Sequence, residues 1–134
     1  MPLIEWNDGF SVGSTLLDAD HRRLIDIHNR MVALGQGSSE AAALGALFDE
    51  LLAFAEGHFA REETILKALG YEGLGRQKAL HVEMGTEILR FRGLHMAGCA
   101  SPASAKEATA FLRGWLIHHI LEEDMQYRSL MLGE

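Results

Sequence analysis

Cysteine is nearly absent: Cys99 is the only one in 134 residues, so no internal disulfide can form. A reducing cytoplasm is the expected home, and Cys99 itself, in a Gly/Ala/Ser/Pro stretch, reads as an incidental loop thiol. Proline is equally scarce, with two in the chain, which leaves room for long uninterrupted helices. Aromatic residues make up only 7%, while Ala, Leu and Glu are plentiful, a balance that favours an all-α fold. Positive charge is in short supply, with 12 Lys and Arg against 19 Asp and Glu and a formal net charge of −7. Such a field repels a nucleic-acid backbone, and no basic run is present to meet an anionic membrane surface. No apolar run approaches the ~18 residues of a spanning helix. The start, MPLIEWNDGF, lacks the basic residues and apolar block of a signal peptide. Phosphate-binding glycine loops, CxxC pairs, HExxH and Gly-x-Ser-x-Gly are all missing, and no alternating run is long enough for a strand.

What is present is an ordinary globular composition, 48% hydrophobic and 23% charged, and a length that predicts one domain over 1–134. Residues 1–14 read as an irregular arm anchored by Trp6 and Phe10. Helical spacing of Leu17, Leu24, Ile27, Met31 and Leu34 predicts a first helix over about 17–34. Gly35-Gln36-Gly37 offers a stop, and Ser38 or Ser39 a new N-cap. A second helix is expected over about 40–69, closed by Gly70, and a third over about 74–94. A looser stretch, 96–104, precedes a fourth over about 105–132. Four helices with short links imply an up-down-up-down four-helix bundle.

Seven histidines in a chain of this size are the main chemical signal. His58 and Glu62 are four apart and share a helix face. His21 falls within the apolar pattern of the first helix. His81 stands four after Gln77 on the third. His119 lies among Leu116, Ile120 and Tyr127 on the fourth, with Asp124 five residues on. A buried imidazole is costly unless its nitrogens are paired, so one such histidine is ordinarily a satisfied core residue. One per helix, joined by carboxylates, instead points to a metal centre in the bundle interior. Nitrogen and oxygen donors without thiolate suit iron, zinc or manganese. The Glu-x-x-His pairs of ferritin-like bundles are missing, since no Glu stands three before any His and Asp18 before His21 is a lone acidic instance. On a regular helix Glu123, four after His119, shares its face better than Asp124, five after.

The sequence resembles the hemerythrin family, in particular its bacterial single-domain members, over nearly its whole length. The resemblance rests on Trp6, on Leu17-Asp18-Ala19-Asp20-His21-Arg22-Arg23-Leu24 followed by Asn29, and on His58-Phe59-Ala60-Arg61-Glu62-Glu63. It continues through Gly70-Tyr71 and Leu74, and closes with Trp115-Leu116-Ile117-His118-His119-Ile120, Asp124 and Tyr127. What it implies is a pair of non-haem iron ions with an oxo or hydroxo bridge. By the family pattern His21 and His58 bind one ion, His81 and His119 the other, and Glu62 and Asp124 bridge them. The family motif thus selects Asp124, with Glu123 as the competing carboxylate. Leu116 takes the position that lines the family's oxygen pocket.

One departure stands out. The family places two histidines four apart on the third helix, and here the first of them is Gln77. The usual five-histidine site becomes a four-histidine one. Gln77 can ligate weakly through its amide oxygen, hold a water in the vacated position, or face away. The water-filled or open readings favour autoxidation or peroxide chemistry over stable oxygen binding. Of the remaining histidines, His28 reads as a polar core or interface residue, His95 as a solvated loop residue, and His118 as exposed or adjacent to the site. Trp6 and Trp115 are expected to pack the arm, Met31, Met84, Met125 and Met131 to fill core gaps, and Arg22, Arg23, Glu40, Asp49 and Glu50 to form a solvated face. The expected function is reversible dioxygen binding for storage, transport or sensing, which requires no catalytic acid or base. The alternatives are peroxide or nitric oxide handling through an open position at Gln77, and a metal-binding signalling module without oxygen carriage.

Overall fold

The structure, a computed structural model, describes residues 2–34, 41–97 and 102–134. Four long helices run along the chain: α1 (Thr15–Leu34), α2 (Ala41–Ala68), α3 (Leu74–Met96) and α4 (Pro102–His118). Helix α2 packs against α1 and α3, and α4 packs against the same two. This is the neighbour pattern of the expected up-down-up-down bundle.

Local chemistry sets the helix ends. Ser14 caps α1: its hydroxyl accepts the Leu17 N–H at 3.2 Å and its carbonyl the Asp18 N–H at 2.8 Å. Gly70 stops α2 in a left-handed conformation, φ +69°. Its N–H donates to the Lys67 carbonyl at 3.1 Å, and the Tyr71 N–H to the Leu66 carbonyl at 3.0 Å, which satisfies two carbonyls of the last turn. The chain reverses at once into α3, and that short turn brings the His58 and His81 levels of α2 and α3 together.

The arm is pinned to the bundle. The Asn29 amide binds the Ile4 main chain both ways, accepting from its N–H and donating to its carbonyl, each at 2.9 Å. Asp18 accepts the Ser11 hydroxyl at 2.6 Å and the Val12 N–H at 2.9 Å, so this residue serves the arm. Trp6 stacks on Phe10 with ring centroids 5.6 Å apart, and the Arg22 guanidinium lies 4.6 Å over the Trp6 ring. The arm contains one 3₁₀ turn, Asp8–Phe10.

Apolar layers built from Leu17, Leu24, Ile27, Met31, Leu66, Met84, Leu112 and Leu116 close the interior. Burying each such side chain contributes about 1.5–3 kcal/mol relative to exposure. Met125 and Met131 pack against these layers half-buried. The charged face of α1 and α2 is laced rather than simply solvated: Arg23 and Arg30 both reach Glu50, and Arg92 reaches Asp49.

Three expectations change. Met96 still belongs to α3, and α4 already begins at Pro102, whose missing N–H costs nothing in a first helical turn. His95 sits in the last turn of α3, half-buried against Phe48 with ring centroids 5.8 Å apart, and is not a solvated loop residue. The fourth stretch is not one α-helix. After His118 the chain winds as a π turn over His119–Glu123, tightens to a 3₁₀ turn over Asp124–Tyr127, and ends in one α turn, Arg128–Met131. Trp115, expected to pack the arm, also stacks on His119, with ring centroids 4.2 Å apart. Gly35-Gln36-Gly37, Ser38, Ser39, Glu40 and Cys99 lie outside the described residues.

Candidate metal centre

The four helical levels converge on a buried cluster. His21, His58, Glu62, Gln77, His81, His119 and Asp124 are each at most 4% exposed. Glu62 turns Oε2 toward His21 and His58, whose Nε2 atoms both lie 3.6 Å away. Its Oε1 faces the other pair, 2.8 Å from His81 Nε2 and 3.9 Å from His119 Nε2. Asp124 divides itself the same way, with Oδ2 3.2 Å from His21 Nε2 and Oδ1 2.9 Å from His119 Nε2. Each carboxylate therefore offers one oxygen to each half of the cluster. The ligand atoms of His21, His58 and Glu62 lie within 4.8 Å of one another, as do those of Glu62, His81 and His119.

The π turn explains why Asp124 is in the cluster. The Asp124 N–H donates to the carbonyls of His119 and Ile120, and the first of these bonds spans five residues. The wider turn stacks Asp124 under His119, where a regular helix would have put Glu123. Glu123 is buried too but faces outward to Arg76, which donates Nε to Oε2 at 2.7 Å and an Nη to Oε1 at 2.5 Å. The regular-helix preference for Glu123 is thus corrected. His118 is two-thirds exposed and lies outside the cluster.

A further set of residues orients the rings. His58 Nδ1 lies 3.0 Å from Asp20 Oδ2, and Arg61 grips that carboxylate in a fork, 2.9 and 3.0 Å. His81 Nδ1 lies 2.8 Å from Glu63 Oε2. These partners fix which nitrogen carries the proton and leave Nε2 facing inward. Phe59 stacks on His81 at 4.0 Å and Trp115 on His119 at 4.2 Å, both nearly parallel. The Tyr127 hydroxyl donates to Glu62 Oε2 at 2.9 Å, and burial together with the Asp124 and Glu62 charges keeps that phenol protonated. Gln77 does not face away: its Nε2 donates to Asp124 Oδ1 at 2.9 Å. Sequence reasoning assigned no role at the site to Asp20, Glu63, Phe59, Trp115 or Tyr127. Their only signal was that each stands among the residues that carry the family resemblance.

His28 takes the core alternative. It is fully buried above the cluster, with Nδ1 2.9 Å from Asn29 Oδ1, and burial lowers its pKa.

The chemistry of the cluster asks for a cation. Among the described residues eleven buried side-chain nitrogen and oxygen atoms lack a hydrogen-bond partner, and eight belong to these seven residues. The close His–carboxylate approaches are ion-pair contacts out of line for hydrogen bonds. An unmet buried polar atom costs about 1–3 kcal/mol, so this many at one point fit a site completed by metal. Burial pushes the His21 and His119 imidazoles down in pKa, but Asp124 and Glu62 beside them prevail and raise both to about 9. Burial likewise pushes Glu62 up, but the surrounding imidazoles hold it well below the usual carboxylate range. Asp124 is also held low, by His119 and His21, against burial and the Glu62 charge.

These shifts set a pH dependence. A raised imidazole pKa stabilises the metal-free fold fully below about pH 6.5, and that contribution is lost as the pH rises through about 9. A metal ligand must be neutral, so metal uptake displaces the protons. Loading the metal-free chain at pH 7.5 in weak buffer should release about two protons per chain, falling toward none above pH 9. A pH-stat titration reads this directly, and uptake without proton release at pH 7.5 would contradict it.

Fold and site together define a four-helix bundle with a paired imidazole–carboxylate cation site. Residues 12–130 match the family described as "Hemerythrin HHE cation binding domain". The chain is 30% identical over 127 residues to a bacteriohemerythrin of Stenotrophomonas maltophilia, covering 95% of this chain and 80% of that one. It is 29% identical to a bacteriohemerythrin of Clostridium acetobutylicum, covering 91% and 96% of the two chains. A hemerythrin-like protein of Naegleria gruberi is also 29% identical, with coverage of 94% and 92%. The fold superposes on a wild-type hemerythrin crystal structure with a TM-score of 0.88, at 24% identity over 98% of this chain and 99% of that one. The chain belongs to the hemerythrin family of cation-binding domains.

Proposed function

We propose that the chain binds dioxygen reversibly at a pair of non-haem iron ions, for storage, transport or sensing. His21 and His58 hold one ion, His81 and His119 the other, and Glu62 and Asp124 span both. The observation that carries this reading is the division of the two carboxylates, one oxygen of each toward each half of the cluster. Hard nitrogen and oxygen donors without thiolate suit iron, and kinship with bacteriohemerythrins supports the same choice. Two ferrous ions so held supply a pair of electrons and a position for a small diatomic ligand.

The protein's part is to hold and to exclude. Asp20 and Glu63 keep the imidazoles of His58 and His81 aimed inward. Tyr127 steadies Glu62 from the side away from the His81 half. Leu116, buried one turn before His119, is assigned to the apolar wall that keeps water from the ligand.

The test is anaerobic assembly with ferrous iron. About two irons per chain are expected, with a visible absorption band on exposure to oxygen that fades when oxygen is removed. One iron or none, with no such band, would overturn the reading in favour of a metal-binding module without oxygen carriage. One observation favours a second reading, peroxide handling by the same metal pair: the buried Gln77 Oε1, an acceptor without a donor, lacks a partner. Rapid consumption of peroxide by the iron-loaded chain, lost in Gln77→His, would select that reading over carriage.

A further inference from the structure

Gln77 has an amide whose two ends stand in opposite situations. Its NH₂ donates to Asp124 Oδ1 at 2.9 Å, and because a carboxylate can only accept, this orientation is obligatory. Oε1 is consequently left buried without a hydrogen-bond partner. Asp124 Oδ1 is also 2.9 Å from His119 Nε2, so the orphan oxygen lies one amide width from an atom that touches the His81/His119 half. A flip of the amide would set Oε1 against the carboxylate. The neighbouring residues Arg76 and Glu123 link the same two segments a second time, on the outer side.

We propose that Gln77 Oε1 is one wall of a binding position for a small protic ligand, such as water, hydroxide or hydrogen peroxide, on the cation held by His81 and His119. Oε1 has lone pairs and no proton. A ligand seated there must bring its own hydrogen to meet the oxygen, as those species do. Azide, fluoride and thiocyanate bring none and would meet lone pair with lone pair. Gln77 is then a specificity residue that discriminates by hydrogen-bond polarity rather than by size. The proposal rests on the cation-binding reading of the cluster, but not on iron or on dioxygen.

Cobalt(II) is the probe, because its visible bands report ligand number without redox chemistry. The full chain is loaded with cobalt and titrated with azide. Gln77→Leu, which removes the acceptor, is expected to bind azide about tenfold more tightly than the unaltered chain, a ratio equivalent to about 1.4 kcal/mol. Equal affinities would overturn the proposal. A second measurement needs no variant: a crystal structure of the cobalt-loaded chain should show a solvent oxygen bonded to the metal and within hydrogen-bond distance of Gln77 Oε1. Direct Oε1–cobalt ligation, or no solvent at that position, would also overturn it. A chain taking up no cobalt at this half removes the cation-binding reading and this proposal together. Failure of oxygen carriage alone shows only in the iron experiment and leaves this one standing.

Discussion

Glu62→Gln should strip metal from both halves of the cluster, lowering content from about two ions per chain to less than one. The side chain keeps its shape, so the cause is chemical. Glu62 is fully buried, and both its oxygens face imidazoles, Oε2 toward His21 and His58 and Oε1 toward His81. An amide replaces one of those oxygens with a hydrogen-bond donor aimed at the cation position, and each half loses negative charge. Removing a residue that only supports a ligand already costs about 10–100-fold in metal affinity, and loss of a shared ligand should exceed that. Metal analysis after gel filtration, with circular dichroism to confirm retained helix, provides the check. Glu123→Gln is the internal control: it breaks the Arg76 pair but should leave metal content unchanged. Full metal retention in Glu62→Gln would remove the spanning role.

The second large effect is expected one residue before His21. Asp20→Asn should weaken metal binding at the His21/His58 half by about 10–100-fold while sparing the other half. Asp20 Oδ2 holds His58 Nδ1 at 3.0 Å, and Arg61 closes a two-point fork on the same carboxylate. Burial pushes the Asp20 carboxyl up, but His58 and Arg61 outweigh it and keep the group ionised. Asparagine keeps the size, removes the charge and presents an NH₂ to one of two donors. Chelator competition on cobalt-loaded protein separates the halves, since only one set of bands should become labile. Equal lability in both proteins would mean that Asp20 serves packing alone.

The bundle and the histidines were legible because both obey a period that sequence displays. Leu17, Leu24, Ile27 and Met31 recur at helical spacing, and His21 falls among them. His58, His81 and His119 do the same on their own helices. Asp124 was legible only by resemblance to a family, since regular helix geometry favours Glu123. The π turn that reverses this preference is set by one extra residue per turn, and nothing in residues 119–123 announces it. Asp20 stood in the sequence only as part of the family phrase, and its hold on His58 exists only once α2 brings His58 and Arg61 against it. Phe59 and Trp115 sit where any core aromatic would sit, and their stacking on His81 and His119 depends on helix rotation. Gln77 was visible as an anomaly, but the direction of its amide follows from the carboxylate it meets.

The concentration of unpaired polar atoms in one cluster also bears on how long the chain survives. A ligand that binds only the folded state adds stability in proportion to the logarithm of its concentration over its dissociation constant. A metal-free copy, with imidazoles and carboxylates buried around nothing, opens more often and is the better protease substrate. Its cellular half-life should therefore follow metal supply. Abundance of the protein becomes a record of how much metal was available, without any change in synthesis.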